Sequence, residues 1–244
     1  SLGAKNWRNM CFKRIGNGTL RWCGIQFPTF ADSQEADMSF EEYKELFYRA
    51  GLIDKDDPEA EWERVSEEQE KWVKYLDQKE ELHIISEDTD IKIGIKGRKW
   101  INCNGKVNFP GGEIFTSPIE NSIDGYISFS FPGIFYKHEI EEIKFEVKKG
   151  EIVKATAKKG EELLTTILRI DEGARYFGEV AIGTNYGIKR FTKNILFDEK
   201  FGGTIHMAIG ASLPKTGGLN ESAIHWDLLC DMRKSGKIYA DGEL

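Results

Sequence analysis

Cysteine is scarce in this sequence, and its four cysteines lie far apart. Cys11, Cys23, Cys103 and Cys230 form no CxxC pair, so neither a thiolate zinc ribbon nor a disulfide scaffold is indicated. Thiols that are few and unpaired are the ordinary condition of a reducing compartment. We therefore expect a cytoplasmic protein.

Long apolar runs and a surplus of positive charge are missing as well. No run reaches the length of a membrane span, and SLGAKNWRNM at the start has no apolar stretch typical of secretory signals. The formal net charge is −7, which disfavours nucleic acid as a partner because phosphate binding needs a basic patch. The 244 residues allow one large domain or two small ones with an apolar core.

Helical patterns are strongest between residues 34 and 81. In DMSFEEYKELFYRAG, Ser39 and Glu42 have the spacing of a capping box, and Gly51 can end the helix. A second helix is predicted to follow Pro58. Its apolar face at helical spacing consists of Trp62, Val65, Trp72 and Leu76.

Short strand patterns dominate the chain from residue 82 onward. The segments are β-branched or aromatic and are separated by turns: ELHIIS, IKIGIK, RKWINC, GYISFSF, IKFEVKKGEIVKATAKKG and YFGEVAIGT. One helix is predicted among them at about residues 160–170, and residues 7–31 are predicted to be strand and loop. The predicted fold class is therefore α+β, with a short helical segment at 34–81 followed by a strand-rich body.

A histidine and an aspartate interrupt the apolar segment AIHWDLLCDM at residues 223–232. In a strand, Ile224, Trp226 and Leu228 point to one face, and His225 and Asp227 share the other. A carboxylate on a buried face needs an opposite charge, a hydrogen bond or a metal ion. Taken alone, the pair is explained without a metal ion, either by a polar network or by an edge strand that faces water.

Three further ionisable residues stand in apolar or glycine-rich surroundings. Glu113 lies in NFPGGEIFTSP, Glu179 in RYFGEVAIGTN and His206 in GGTIHMAIGAS. Each alone is explained by an exposed glutamate or a hydrogen-bonded core histidine. Together with His225 and Asp227 they make three carboxylates and two imidazoles, a donor set that suits Zn, Mn or Co. Two divalent cations against three carboxylates leave one positive charge, which can hold the hydroxide that a hydrolase needs.

Several long blocks of the sequence resemble the aminopeptidase T / aminopeptidase S family of metallopeptidases, of thermophilic type. The blocks occur in family order from about residue 18 to the end: RWCGIQFPTFADSQEADMSFEEY, NFPGGEIFTSP, GEVAIGTN, FDEKFGGTIHMAIG and NESAIHWDLLCDMR. The resemblance implies that residues 1–244 are the metal-binding catalytic part of an aminopeptidase. It also implies peptide substrates and a cytoplasmic homodimer.

The same resemblance implies the residues of the site. The metal ligands that carry over are Glu113, Glu179, His206, His225 and Asp227. Glu179 is implied as the carboxylate that bridges two divalent ions, zinc, cobalt or manganese, and it is the candidate catalytic residue among the five. The hydroxide formed from the bridging water would attack the first peptide carbonyl, and a nearby carboxylate would accept and return the proton.

Two features depart from the family pattern. The family has a tyrosine seven residues after the first ligand histidine, and Leu213 stands at that catalytic position here, in ASLPKTGG. Family members also carry an extra α/β domain before the matched region, which we expect this chain to lack. Both departures concern the substrate cleft.

Two other functions stay open at this point. His206, His225 and Asp227 have the donor types of a two-histidine, one-carboxylate iron site, and a dihydroxypyridine dioxygenase is similar to this peptidase family. A single-iron ring-cleaving dioxygenase is therefore one alternative, although Glu113 and Glu179 have no role in it. The other alternative is a domain that binds metal and catalyses nothing.

Overall fold

Two antiparallel sheets form the body of the chain in a computed structural model, which describes residues 10–11, 14 and 19–244. The described strands are β1 (Gly24–Ile25), β2 (Glu81–Ser86), β3 (Thr89–Gly94), β4 (Ile101–Cys103), β5 (Asn108–Phe109), β6 (Glu113–Thr116), β7 (Asp124–Ser128), β8 (Gly133–Phe135), β9 (His138–Ile140), β10 (Lys144–Lys148), β11 (Glu151–Thr156), β12 (Phe177–Gly183), β13 (Thr204–Gly210), β14 (His225–Asp231) and β15 (Lys237–Ala240). The described helices are α1 (Phe30–Glu35), α2 (Phe40–Ala50), α3 (Pro58–Leu76), α4 (Glu161–Ile167) and α5 (Ile195–Asp198). These elements confirm the predicted α+β class.

The larger sheet has the strand order β11–β10–β7–β3–β2–β15, and the smaller sheet has the order β14–β13–β12–β6–β4. Neighbouring strands in both sheets are antiparallel. Successive side chains of a strand point to opposite faces, so a sheet can bury one face in a core and give the other a different environment. Among the described residues, β1–β5 and β8–β9 form two further short pairs.

One apolar core joins the inner faces of the two sheets. The larger sheet contributes side chains such as Ile91 and Phe145, and the smaller sheet contributes Val180, Met207 and Leu228, each at most 1% exposed. Burial of a side chain of this size stabilises the fold by about 1.5–3 kcal/mol. The inner face of the smaller sheet is therefore committed to the core, and only its outer face is free for chemistry.

A second apolar cluster joins helix α2 to the segment around α5. Its buried members are Leu46, Phe47, Ala50, Ile188, Phe197 and Phe201. The predicted capping box of α2 is confirmed, because Ser39 Oγ accepts from the Glu42 amide and the Glu42 carboxylate accepts from the Ser39 amide. This apolar cluster anchors the segment around α5, which lies over the outer face of the smaller sheet.

The buried face of α3 agrees with the predicted one at Leu76 but not at Trp72. Gln69, Val73 and Leu76 are buried, whereas Trp72 is 52% exposed and packs edge-on against Tyr75. A helix advances by about 100° per residue, so Gln69, Val73 and Leu76 share one stripe. Helical spacing placed Trp72 on the buried face, where the structure instead buries the hydrogen-bonded Gln69.

The prediction of strand and loop for residues 7–31 is only partly right. Thr29 caps helix α1 by accepting a hydrogen bond from the Asp32 amide, so a helix begins where a loop was expected. Residues 7–9, 12–13 and 15–18 of that segment lie outside the described residues. The helix predicted near 160–170 is present as the shorter α4. Within the described residues, no helix combines the length and the apolar character of a membrane span.

Gln69 ties helix α3 to the smaller sheet. Its Nε2 donates to Asn102 Oδ1 at 2.8 Å and to the Glu113 carbonyl oxygen at 2.9 Å. Its Oε1 accepts from Thr184 Oγ1 at 3.1 Å. Because Glu113 begins β6 and Thr184 follows β12, one buried amide holds the helix against both strands.

We expect Gln69→Met to lower the free energy of unfolding by about 1–3 kcal/mol, because methionine fills the space but leaves buried acceptors without a donor. Urea unfolding monitored by circular dichroism measures the change. Gln78→Met is the matched control, since Gln78 is exposed just after α3 and its loss should change stability by no more than about 0.5 kcal/mol. Equal effects of the two variants would contradict the role of Gln69.

Candidate metal centre

Five ionisable side chains lie on the outer face of the smaller sheet. They are Glu113 on β6, Glu179 on β12, His206 on β13, and His225 and Asp227 on β14. The register places a small residue opposite each of them on β12 or β13, and these partners are Ala181, Gly183, Ala208 and Gly210. Small partners leave space above the sheet in which the five side chains meet.

The alternation predicted for β14 is confirmed. Trp226 and Leu228 lie in the core between the sheets, and the Trp226 Nε1 donates to the Ile134 carbonyl oxygen at 2.9 Å. His225 and Asp227 point to the opposite face. The tryptophan thus fixes the strand from behind while the histidine and the aspartate face the site.

The five side chains converge on Glu179. His206 Nε2 lies 3.5 Å from Glu179 Oε1 and 3.6 Å from Glu113 Oε2. His225 Nε2 lies 3.0 Å from Glu179 Oε2 and 3.6 Å from Asp227 Oδ1. Three groups result, Glu113–Glu179–His206, Glu179–His225–Asp227 and Glu199–His206–Asp227, and the ligand atoms of each lie within 4.8 Å of one another. Glu179 belongs to the first two groups and turns one oxygen toward each histidine.

Several polar atoms of this cluster have no hydrogen-bond partner among the described residues. Glu113 Oε2, Asp227 Oδ1 and both ring nitrogens of His206 are buried without a hydrogen bond. An unsatisfied buried polar group costs about 1–3 kcal/mol, so these atoms fit a bound group that the chain itself does not supply. Carboxylate and imidazole donors gathered in this way fit divalent zinc, manganese or cobalt.

The orientation of His225 is fixed by the backbone. Its Nδ1 lies 2.7 Å from the Ala211 carbonyl oxygen, so this nitrogen carries the proton and donates. Nε2 is then the nitrogen that faces Glu179. Metal-binding histidines commonly have such a carbonyl partner on the second nitrogen.

Without metal, protons and ion pairs neutralise the cluster. Burial raises the pKa of Glu113 to about 7 and that of Asp227 to about 6. Burial opposes the ionisation of Glu179 too, but His206 and His225 outweigh it and lower the pKa of Glu179 to about 2. Burial lowers the pKa of both histidines, yet the facing carboxylates outweigh it and raise the pKa to about 9 for His206 and about 10 for His225.

Sequence reasoning missed two residues of this centre, Glu199 and Lys200. The Lys200 side chain is 0% exposed, its Nζ lies 3.3 Å from Glu113 Oε1, and it forms an ion pair with Glu199. A carboxylate oxygen of Glu199 lies within 4.8 Å of ligand atoms of His206 and Asp227. The signal was present in FDEKF, where charged residues stand between two phenylalanines in the way that singled out Glu179.

A cleft of about 370 Å³ opens beside His225 and Asp227. Its aromatic and aliphatic walls include Phe135, Tyr136, Phe191, Ile195 and Trp226. Leu213 is half-buried, directly precedes a 3₁₀ turn at Pro214–Thr216, and is not among the described residues that line the cleft. Its backbone amide donates to Ser117 Oγ at 3.0 Å.

The chain is similar in sequence to a family of metalloproteases. The family model described as thermophilic metalloprotease (M29) matches residues 1–243. Aminopeptidase AmpS of Bacillus subtilis (strain 168) is 29% identical, over 94% of this chain and 62% of that protein. Aminopeptidase PepS of Streptococcus thermophilus is 30% identical, over 85% of this chain and 56% of that protein. The chain therefore spans about three fifths of the length of the curated relatives it matches.

Two solved structures share the fold. Wild-type AmpT from Thermus thermophilus superposes with a TM-score of 0.71 at 28% identity, over 82% of this chain and 54% of that one. The 2,5-dihydroxypyridine dioxygenase from Pseudomonas putida KT2440 superposes with a TM-score of 0.66 at 17% identity, over 90% of this chain and 67% of that one. At that identity the second likeness shows the fold alone.

We expect metal binding to release protons. With pKa values raised to about 9 and about 10, His206 and His225 are protonated at pH 7.5 in the metal-free protein, and each must lose its proton to bind an ion. Apparent affinity for Zn²⁺ should therefore rise with pH through this range. Calorimetry at pH 7.5, in buffers of different ionisation enthalpy, should give at least two protons released at saturation, one from each imidazole.

Two variants make that measurement specific. His225→Ala should release about one proton fewer, since it removes one protonated imidazole. His138→Asn is the control, because His138 is exposed on β9, and it should match the unaltered chain. A binding enthalpy that is independent of the buffer would contradict the protonated state of both histidines.

Proposed function

This chain belongs to the M29 family of thermophilic metalloproteases, as the sequence resemblance predicted, and on that premise we propose that it is an aminopeptidase that uses two divalent metal ions. The single observation that carries the proposal is the pair of ligand groups that share Glu179. Glu113, Glu179 and His206 would hold one ion, and Glu179, His225 and Asp227 the other. Zinc, cobalt and manganese suit these donors.

Two ions bound there would lower the pKa of a shared water toward neutrality and polarise a peptide carbonyl. The residues of the chain supply the rest. Glu179 divides its oxygens between the two groups and sets their spacing. Glu199, which lies within 4.8 Å of ligand atoms of His206 and Asp227 in the third group, would take the proton of the attacking water and return it to the leaving amine.

The charge of the cluster agrees with this chemistry. Glu113, Glu179 and Asp227 contribute three negative charges, and Glu199 and Lys200 neutralise each other in their ion pair. Two divalent cations then leave one positive charge, which balances one hydroxide. The relatives named above are aminopeptidases, and from them we take removal of N-terminal residues as the reaction. A cytoplasmic homodimer stays an expectation from the sequence resemblance.

The dioxygenase alternative draws on the structural neighbour of that name. A single iron on His206, His225 and Asp227 would leave Glu113 and Glu179 without a role, although both are buried at the cluster. Those two carboxylates favour the two-metal reaction. The non-catalytic alternative is motivated by length, since the chain spans only 62% of aminopeptidase AmpS.

Hydrolysis of leucine 4-nitroanilide by the purified chain, with zinc, cobalt or manganese and with a chelator, tests the proposal. We expect release of nitroaniline that requires added metal and a metal content of two ions per chain. Glu179→Gln should lower kcat by more than about hundredfold, because loss of a partner outside the ligand set already costs about 10–100-fold. Glu146→Gln, on the exposed face of β10, is the control.

One iron per chain with consumption of oxygen would favour the dioxygenase, and two metal ions without any turnover would favour the non-catalytic domain.

We expect Leu213→Tyr to raise kcat by about tenfold or more with little change in KM, because a tyrosine hydroxyl here could donate to the developing oxyanion. Leu213 lies two residues after Ala211, whose carbonyl oxygen contacts His225, so this loop is tied to the centre. Leu219→Tyr is the matched control, since Leu219 is 76% exposed in the same loop. Steady-state kinetics with the anilide measures both variants, and no gain in the first would show that no such contact is missing.

A further inference from the structure

Lys200 places a buried positive charge at the candidate metal centre. Its side chain is 0% exposed, its Nζ lies 3.3 Å from Glu113 Oε1, and it forms an ion pair with Glu199. Lysine is almost never fully buried unless it is paired. A fixed cation at this point also repels the divalent ions that the site is proposed to hold, so its presence needs an explanation.

The chain around Lys200 is held firmly. Asp198, at the end of α5, accepts hydrogen bonds from the Thr192 amide at 2.7 Å and from the Thr192 hydroxyl at 2.8 Å. Phe197 and Phe201, on either side of the charged residues, are buried in the second apolar cluster. Lys200 is therefore carried by an anchored segment and not by a free loop.

A glycine lets this segment lie directly on the sheet. Gly183 pairs with Glu113 in the β12–β6 register, and a Cβ at position 183 would lie 2.2 Å from the Phe201 carbonyl oxygen. Any larger residue would therefore push the segment away from β12. The close approach is what brings the Lys200 side chain to Glu113.

The lysine divides the oxygens of the neighbouring carboxylates. Glu113 Oε1 faces Lys200, whereas Oε2 is buried without a hydrogen bond and lies 3.6 Å from His206 Nε2. Glu199 pairs with Lys200 although one of its oxygens lies within 4.8 Å of ligand atoms of His206 and Asp227. Without the ammonium group, Glu113 would have a second oxygen to offer a metal ion, and Glu199 Oε1 would lose the charge that holds it.

We propose that Lys200 is a positioning residue that decides which carboxylate oxygens reach the metal ions. It keeps Glu113 Oε1 and Glu199 out of the ligand set, so that Glu113 binds through Oε2 alone and Glu199 stays free beside the centre. This inference rests on the proposed two-metal function. It implies that the chain accepts weaker metal binding in return for an open coordination position and a free carboxylate.

Cobalt binding to the whole chain is the test, because the visible absorption of Co²⁺ weakens as its coordination number rises. Lys200→Met keeps the length of the side chain and removes the charge, so we expect it to bind Co²⁺ about tenfold or more tightly and with weaker absorption per ion. Lys200→Arg keeps the charge and should stay close to the unaltered chain. If the role of the lysine were merely structural, its replacement would weaken Co²⁺ binding. Unchanged or weaker binding by Lys200→Met therefore overturns the inference.

Glu199→Gln is a second test variant, which decides on the role of Lys200 if Lys200→Met does not fold. It leaves the lysine charge uncompensated, so Co²⁺ should bind about tenfold or more weakly with unchanged absorption per ion. An absorption that rises would identify Glu199 as a ligand and overturn the inference. Lys154→Met and Glu146→Gln are the matched controls, since these residues form an exposed pair between β10 and β11 at 2.8 Å, and they should change nothing.

The two proposals fail in different ways. An unaltered chain that binds no Co²⁺ would overturn the two-metal function and this inference with it. An unaltered chain that binds two Co²⁺, with variants at positions 199 and 200 that behave like it, would overturn the role of Lys200 alone.

Discussion

The outer face of the smaller sheet is organised by the difficulty of burying several carboxylates together. Glu113 and Glu179 are 4% and 6% exposed, and His206 between them is 0% exposed. Ionised groups are stable in such surroundings only with opposite charges or metal ions close by. The other features of the site serve this need: small residues open space on β12 and β13, His225 is oriented by a backbone carbonyl, and Lys200 is drawn in as a counter-charge.

The parts of the site that could be predicted from sequence are those in which a local pattern determines the structure. In β14 the alternation of two apolar residues with His225 and Asp227 specified both faces, because a strand has period two. Lys200 could not be assigned in this way. Its contact with Glu113 depends on the close approach of two distant segments at Gly183, which no local pattern records. Trp72 shows the same limit, since the partners of Gln69 decided which face of α3 was buried.

Fold likeness alone does not decide the chemistry of this chain. The same sheets superpose on AmpT and on a dioxygenase with similar TM-scores, and one fold commonly carries unrelated reactions. What separates the two-metal reaction from the single-iron one is the use made of Glu113 and Glu179. Both are buried against His206, and a single-iron site would leave both outside its ligand set. The donor set, and the family to which the sequence belongs, therefore count for more than the superposition.

The two halves of the candidate centre differ in their access to solvent. In the group formed by Glu113, Glu179 and His206 every member is buried, whereas the His225 side chain is 32% exposed and lines the cleft with Asp227. Gln69 holds the backbone of Glu113 and Lys200 holds its side chain, so the buried half is fixed from the helix and from the α5 segment. β14, by contrast, is an edge strand of its sheet. Under the proposed function, a peptide therefore meets the half formed by His225 and Asp227, and the buried half retains its ion and fixes Glu179 between the two.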